Sequence, residues 1–468
     1  MQAAGATAAV AVATGYSPLS YAQNEKVRVG AIGTGGQGSF HLRDGMAGTE
    51  AIETVAVCDV YRPALDNGWK QADGENREVK KYMDYREMLD KEQLDAVMIA
   101  TPLNTHFEIA WDCLDAGKYV FLEKTMCYSL EECQKLVQKC HDTGLWLQVG
   151  HQRRYNPKYN KVLWLTREQG LLGRMNHITA QWHRNNDWRR PVDPNYVLSE
   201  EEKQYIKDLE RHINWRLYTA SSGGLMTELA THQLDVAAWY LGTPPSRVFG
   251  CGGIDYWRDG REVHDNVALV YEFDIDPSVP GFQAVARRSD FQKLSQLNRP
   301  YTVRLTYSSI TANAKRGAAE LIQGDESSVE LTEGDCFVFG EPATRVTMTE
   351  QTAEEVAEAV AEGRTLQLSN TAYTEGQAIE VFNDKSVDRL QFEAFANDIR
   401  TGGTPKANQM VGLIAAAAGL AGTKSMNEGV PVEIDPAWFQ FDFETPDPYR
   451  YEFWDGPEEA YTDDATPA

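Results

Sequence analysis

The sequence has no excess of positive charge, no paired cysteines and no long apolar run. Its 45 Lys and Arg stand against 69 Asp and Glu, a formal net charge of −24, so it lacks the basic face that nucleic acid or an anionic membrane surface requires. The 7 cysteines, Cys58, Cys113, Cys127, Cys133, Cys140, Cys251 and Cys336, are odd in number and contain no C-x-x-C pair. That pattern gives neither a zinc site nor a disulfide framework, and no metal is expected. No apolar stretch approaches the about 20 residues needed to span a bilayer. What the chain does have is 42% hydrophobic and 10% aromatic content over 468 residues, enough to fill sizeable cores in two or three domains.

Residues 1–22 are rich in Ala, Gly and Val, reach Ser20-Tyr21-Ala22 and turn polar at Gln23. They have the apolar core and small-residue cleavage site of an export signal without its positive n-region. Residues 1–26 therefore read either as a truncated export signal, which makes the protein periplasmic, or as a flexible arm, which leaves it cytoplasmic.

The organising stretch is VRVGAIGTGGQG, Val27 to Gly38. Val27, Val29 and Ile32 make a short buried strand, and Gly33, Gly35 and Gly38 fall on the G-x-G-x-x-G spacing that opens a dinucleotide-binding helix. The first glycine makes the tight turn, the second lets the backbone approach a pyrophosphate, and the third lets helix and strand pack closely. The anion then sits on unpaired N–H groups at the helix start, around Gly36 and Gln37. The next apolar run, Thr54 to Cys58, ends in Asp59, 21 positions beyond Gly38. A carboxylate there accepts the adenosine ribose hydroxyls and repels a 2′-phosphate, which favours NAD over NADP. Arg62, close by, softens that preference.

From Val27 to about residue 150 strands alternate with helices, the pattern of a parallel sheet covered on both faces. Asp84 caps a short helix to Leu89, and the strand Ala96 to Ala100 follows. The next helix places Phe107, Ala110, Trp111 and Leu114 on one face and closes at Gly117. The strand Tyr119 to Leu122, a Ser129/Glu132 capping box, a helix to Gly144 and the strand Leu145 to Val149 complete the unit. Gly33, Asp59, Thr101, Asn104, Glu123 and Lys124 all lie just past the carboxyl ends of successive strands, the edge where open α/β sheets bind ligands.

With ATPLNTH (Ala100 to His106) and LEKT (Leu122 to Thr125), the chain resembles the glucose-fructose oxidoreductase / inositol dehydrogenase (Gfo/Idh/MocA) family over roughly residues 27–435. The resemblance implies an α/β protein. An NAD-binding Rossmann domain, residues 27–150, precedes a substrate-binding and oligomerisation α/β domain, residues 151–435, with a large, mostly antiparallel open sheet. An acidic, aromatic C-terminal arm, residues 436–468, follows and is expected to anchor on its own body or on a neighbouring subunit. Cofactor contacts are expected from Gly33, Gly35, Gly36, Gln37, Gly38, Asp59, Arg62, Thr101, Asn104, His106 and Glu123. The family's Glu-Lys-Pro motif matches Glu123 and Lys124, while Thr125 replaces the proline.

In the second domain GHQRRYNPKY, Gly150 to Tyr159, is expected to enter the cleft, with His151, Arg153, Arg154 and Tyr155 binding substrate hydroxyls. His183, Trp182 and Trp188 follow the strand Met175 to Trp182, and Trp215 lies beyond a helical insert capped by Ser199 and Glu202. In GGLMTELATHQLD, Gly223 to Asp235, helical spacing puts Glu228, His232 and Asp235 on one face. Burying three ionisable groups without partners is costly, so that face lines a wet cleft. The family's Gly-Gly-x-x-x-Asp-x-x-x-His pattern maps its acid and imidazole onto Glu228 and His232; Asp235 reads as structural. Strand signals run over Arg247 to Trp257, Glu262 to Phe273 and Val303 to Ile310, with shorter pieces near Val329 and Val338. Residues 274–300 read as a loop, and helices are expected at Ala353 to Ala361, Asp388 to Arg400 and Val411 to Met426.

The chemistry implied is hydride transfer to a nicotinamide, with Lys124, His232 and Glu228 as the catalytic candidates. The leading expectation is an NAD(P)-dependent dehydrogenase acting on a secondary hydroxyl of a sugar, glycoside or cyclitol. Its rival is a glycoside-cleaving enzyme that retains NAD and works by transient oxidation and elimination. A non-enzymatic sensor is disfavoured by Lys124 and His232. The expected partners are a small carbohydrate and further copies of the chain, as a dimer or tetramer.

Overall fold

In the computed structural model, which describes residues 26–276, 299–340 except 333, and 376–451 except 382, the first unit is a six-stranded sheet. Its strands are β1 (Val27–Ile32), β2 (Ile52–Cys58), β3 (Lys80–Tyr82), β4 (Ala96–Ile99), β5 (Tyr119–Leu122) and β6 (Leu147–Val149). They pair in parallel in the order β3-β2-β1-β4-β5-β6, that of a dinucleotide-binding sheet. Strand residues alternate between two cores. Ile32, Val97, Ile99, Val120 and Leu122 face one side, and Val29, Ala31, Val57, Met98 and Phe121 the other. This is why the strands read as unbroken apolar runs.

Five helices flank this sheet: α1 (Gly36–Phe40), α2 (Arg62–Gln71), α3 (Tyr85–Lys91), α4 (His106–Asp115) and α5 (Leu130–Thr143). The capping box at Ser129 and Glu132 is formed, and Gly144 closes α5 in the left-handed conformation. Helix α1 continues into a π-helical stretch, His41–Met46.

The second unit is a nine-stranded sheet built from β7 (Met175–His183), β8 (Arg247–Gly253), β9 (Asn266–Ile275), β10 (Tyr301–Ile310), β11 (Ala318–Gly324), β12 (Ser327–Thr332), β13 (Cys336–Gly340), β14 (Gln377–Ala378) and β15 (Val432–Glu433). Its order is β14-β13-β12-β11-β7-β10-β9-β8-β15. The β7–β10 pair is parallel and the others are antiparallel. One face is covered by α6 (Pro157–Gln169) and α9 (Thr231–Leu241), and between them in sequence lie the short α7 (Glu202–Tyr205) and α8 (Leu209–Ile213).

The chain then returns to the first sheet. Helix α10 (Val387–Thr401) places Phe392 and Phe395 against Phe121, and α11 (Gln409–Glu428) contributes Met410 and Leu413 to one core and Ile414 and Ala418 to the other. Helix α10 packs on the first sheet, while α11 packs on both sheets at once, which a linear division of the chain does not convey. The terminal residues to 451 lie on the same body. Trp239 Nε1 donates to Arg450 O at 3.0 Å and Asn408 Nδ2 to Asp447 O at 3.1 Å, and Phe443 stacks on His141 with ring centroids 3.9 Å apart.

Two expectations are corrected. The strand from Arg247 stops at Gly253, short of Trp257, because the Asp265 carboxylate takes the N–H groups of Asp255, Tyr256 and Trp257 at 3.0, 2.9 and 2.7 Å. The strand expected from Glu262 begins only at Asn266, and β11, like the short β3, β14 and β15, has no counterpart among the expected strands. The expected helix at Ala353 to Ala361, most of the 274–300 loop and residues 1–22 lie outside the described residues.

Candidate active site

A cleft of about 850 Å³ runs along the carboxyl edge of β1, β2 and β4, with Gly33, Gly35, Asp59, Tyr61 and Thr101 in its walls. Gly33 has φ +83°, and a Cβ on it would meet the Ala100 backbone at 2.7 Å. A Cβ on Gly38 would lie 1.8 Å from Gly33 O, whereas one on Gly35 would meet nothing within 4 Å. Space is therefore left on the open side of the loop and removed on the packed side, which suits a pyrophosphate against backbone. The Asp59 carboxylate accepts the N–H of Thr34 at 2.8 Å through one oxygen and that of Tyr61 at 2.9 Å through the other. Burial pushes its pKa up to about 6 while those backbone bonds pull the other way. Cleft volume, loop shape and a carboxylate at the second strand end together fit a dinucleotide.

A second cavity, about 410 Å³, adjoins the first. Gln37, Thr101, Arg190, Trp215 and Arg216 stand in the walls of both, so the two are one continuous space. Lys124, Glu228 and His232 all face the smaller cavity. Lys124, just past β5, donates from Nζ to Glu228 O at 2.9 Å. Its peptide bond to Thr125 is cis, and where the family pattern has proline the Thr125 hydroxyl donates to Thr227 O at 2.6 Å. Thr227 and Glu228 lie in a π-helical turn, Met226–Ala230, that leads into α9; π-turns of this kind gather at functional sites.

His232 is 5% exposed, and its Nδ1 has no hydrogen-bond partner among the described residues. Burial first, then the nearby cations Lys124, Arg153 and Arg184, lower its pKa well below the usual histidine value. The ring is therefore neutral at physiological pH and keeps a lone pair. Trp182 lies 5.2 Å from it, centroid to centroid. The Glu228 carboxylate is held in the cavity wall: Oε2 accepts from Arg216 Nε at 3.1 Å and Oε1 from Ser222 Oγ at 3.2 Å. Each oxygen keeps further acceptor capacity.

Several expected residues lie elsewhere. Arg153 pairs with Glu320 at 2.6 Å and Arg154 with Asp235 at 2.7 Å, each nearly dehydrated. Tyr155 Oη accepts the Ala407 N–H at 3.2 Å, and His151 is 1% exposed beside Asp235. Of the Gln152–Tyr155 turn only Gln152 reaches the smaller cavity. The reason is physical: a chain with so many carboxylates offers these arginines buried partners. Asp235 thus turns inward, off the line that Glu228 and His232 present to the cavity. His183 is tied to Lys315 O at 3.1 Å and Ser308 Oγ at 2.9 Å. Asn104 is exposed at the start of α4 while its neighbour Thr105 faces the larger cleft. Arg62 is paired with Glu201 at 2.7 Å.

His106 and Glu123 are largely buried but still line the smaller cavity. The His106 ring sits between Thr125 O and Thr101 O, at 2.9 and 3.0 Å, and burial lowers its pKa. Glu123 Oε1 meets His41 Nε2 at 2.7 Å, Glu123 Oε2 accepts the Lys124 N–H at 3.0 Å, and His41 Nδ1 meets Asp388 Oδ1 at 2.8 Å. Burial pulls the His41 pKa down, but its bonds to Asp388 and Glu123 outweigh that and raise it to about 9. His41 and Asp388 escaped sequence reasoning, as did Arg190, whose guanidinium lies 2.7 Å from where a Gly36 Cβ would be. A polar residue on the sheet-facing side of the glycine-loop helix was the available signal for His41. Arg190 comes from residues 184–222, an irregular insert that also supplies Tyr205, His212 and Trp215 to the larger cleft.

This arrangement defines an NAD-binding oxidoreductase of two units, a Rossmann sheet and a mixed, mostly antiparallel one. The model of the oxidoreductase family with an NAD-binding Rossmann fold matches residues 27–151, and that of the GFO/IDH/MocA C-terminal domain matches residues 166–279. The chain belongs to the Gfo/Idh/MocA family. It is 29% identical over 225 residues to glycosyl hydrolase family 109 protein 1 of Shewanella sp. (strain MR-4), a match covering 46% of this chain and 44% of that one. To an alpha-N-acetylgalactosaminidase of Shewanella oneidensis it is 28% identical over 170 residues, 35% of this chain and 37% of that one. The chain thus spans less than half the length of these two curated relatives. Levoglucosan dehydrogenase, solved with NADH, shares the fold at a TM-score of 0.61 and 18% identity, over 88% of this chain and 100% of that one. Among the described residues no helix is long and apolar enough to cross a membrane, and no group of His, Cys, Asp and Glu could hold a metal ion.

Proposed function

We propose that the protein oxidises, reversibly, a secondary hydroxyl of a sugar, glycoside or cyclitol held in the smaller cavity. The observation that carries this is the placement of Lys124 and His232 in one space that opens onto the dinucleotide cleft. Bound there by the Gly33–Gly38 loop, Asp59 and Arg190, NAD supplies the hydride acceptor. Lys124, anchored on Glu228 O, donates a hydrogen bond to the hydroxyl oxygen. His232, neutral and in the wall of the same cavity, takes the proton. Trp182 and Trp188 offer aromatic faces to the ring. Native mass spectrometry of the purified protein, followed by a sugar and glycoside panel read for NADH, tests this. A protein that neither carries nor binds NAD sinks it.

A second reading is glycoside cleavage by transient oxidation, elimination and return of the hydride, with cofactor kept throughout. Two observations favour it: the insert 184–222 covers the adenosine side of the cleft, and two curated relatives carry glycosidase names.

A further inference from the structure

Asp59, Tyr61 and Pro63 line the larger cleft, and two further carboxylates lie just behind them, at the start of α2. The insert brings Glu201 and Glu202 across to the start of α2. Glu202 is 1% exposed and accepts the Arg62 N–H at 3.1 Å, the Tyr196 hydroxyl at 2.6 Å and the Ser199 N–H at 2.8 Å. Burial acts to raise its pKa, but these bonds hold it at about 2, so the group is ionised. Glu201 holds the Arg62 guanidinium at 2.7 Å, and Tyr61 packs edge-on against Tyr196, centroids 5.2 Å apart. Arg62 and the first N–H groups of α2 are the groups that a phosphate on the ribose 2′-oxygen would use. The Arg62 N–H and one nitrogen of its guanidinium are already taken.

We propose that Glu201 and Glu202 make the cleft selective for NAD over NADP by occupying, from the second unit, the cation and the backbone donor that would receive a 2′-phosphate. The inference rests on the dinucleotide cleft assigned above. It makes cofactor choice a property of both units, with the insert adding repulsion to that of Asp59.

The test is direct binding of NAD and NADP to the full chain, by calorimetry or by nucleotide release and identification, in wild type, Glu201→Gln, Glu202→Gln and Glu201→Gln/Arg62→Ala. Glu201 is half exposed, so its substitution leaves the core untouched. Glu201→Gln should tighten NADP about tenfold, as expected when a like charge is removed, with NAD nearly unchanged. Adding Arg62→Ala should abolish that gain. NADP affinity unchanged in both single variants, or a gain that survives loss of Arg62, overturns the proposal. Wild type that binds neither nucleotide instead overturns the cofactor reading beneath it.

Discussion

At the scale of single residues, Lys124 and Asp59 separate chemistry from binding. The Lys124 amine lines the smaller cavity and donates to the Glu228 carbonyl, so Lys124→Ala removes the amine without emptying a packed core. Turnover should fall by about 10² to 10⁴, the usual contribution of a proton-transfer group, while NAD affinity stays close to wild type. Retention of full activity would remove the lysine from the mechanism. Asp59 predicts a pH effect of definite sign. With a pKa near 6, its carboxylate is ionised above that pH and can accept ribose hydroxyls. Below it the protonated acid loses that capacity, so NAD affinity should weaken by up to about tenfold per unit as pH drops under 6. Titration calorimetry from pH 5 to 7.5 measures this, and Asp59→Asn should bind weakly with little pH dependence. A flat wild-type profile would mean that the ribose is held elsewhere.

At the scale of elements, what was legible in the sequence followed short-range rules. The strand β1, its glycine turn and the strand-end residues Asp59 and Lys124 were readable because apolar runs and glycine spacing are local. The capping boxes at Ser129 and Ser199 were readable for the same reason. The π-helical turns at His41–Met46 and Met226–Ala230 were not, since nothing in an apolar helical pattern marks an inserted residue. Nor was the burial of Arg153 and Arg154, whose partners Glu320 and Asp235 are distant in sequence. His41 joins the helix after the glycine loop to α10 through Asp388 and to the β5 end through Glu123. Its folded pKa, about 9, lies above the ordinary 6.5. The stabilisation is therefore fully present below pH 6.5 and is lost as pH rises through 9, a change of about 3 kcal/mol. Urea denaturation at pH 6, 8 and 10 should show that decline, and His41→Gln should flatten it. A wild type equally stable at pH 6 and 10 would show the ring is not protonated in place.

At the scale of the whole molecule, the question is whether oxidation is the outcome or a step. The cleft that fits NAD is walled on one side by the first unit and on the other by the insert, through Arg190, Tyr205, His212 and Trp215. Contacts from the insert on a bound nucleotide would add to those from the first unit and slow its release. Retention suits a cycle in which the hydride is returned, and a redox-neutral cycle leaves a mark that net oxidation does not. Oxidation of one ring carbon acidifies the C–H beside it, a base removes that proton, and the glycosidic oxygen departs. Water then adds back, and the carbon regains its proton from solvent. In D₂O a glycoside cleaved this way should carry deuterium on the carbon next to the oxidised one, with no NADH accumulating. His232, in the wall of the smaller cavity, is the group this cycle would use to move that proton, so His232→Ala should lose exchange and cleavage together. Accumulating NADH with an intact glycoside and no deuterium would instead establish plain dehydrogenation, in which the nucleotide must exchange on every turnover.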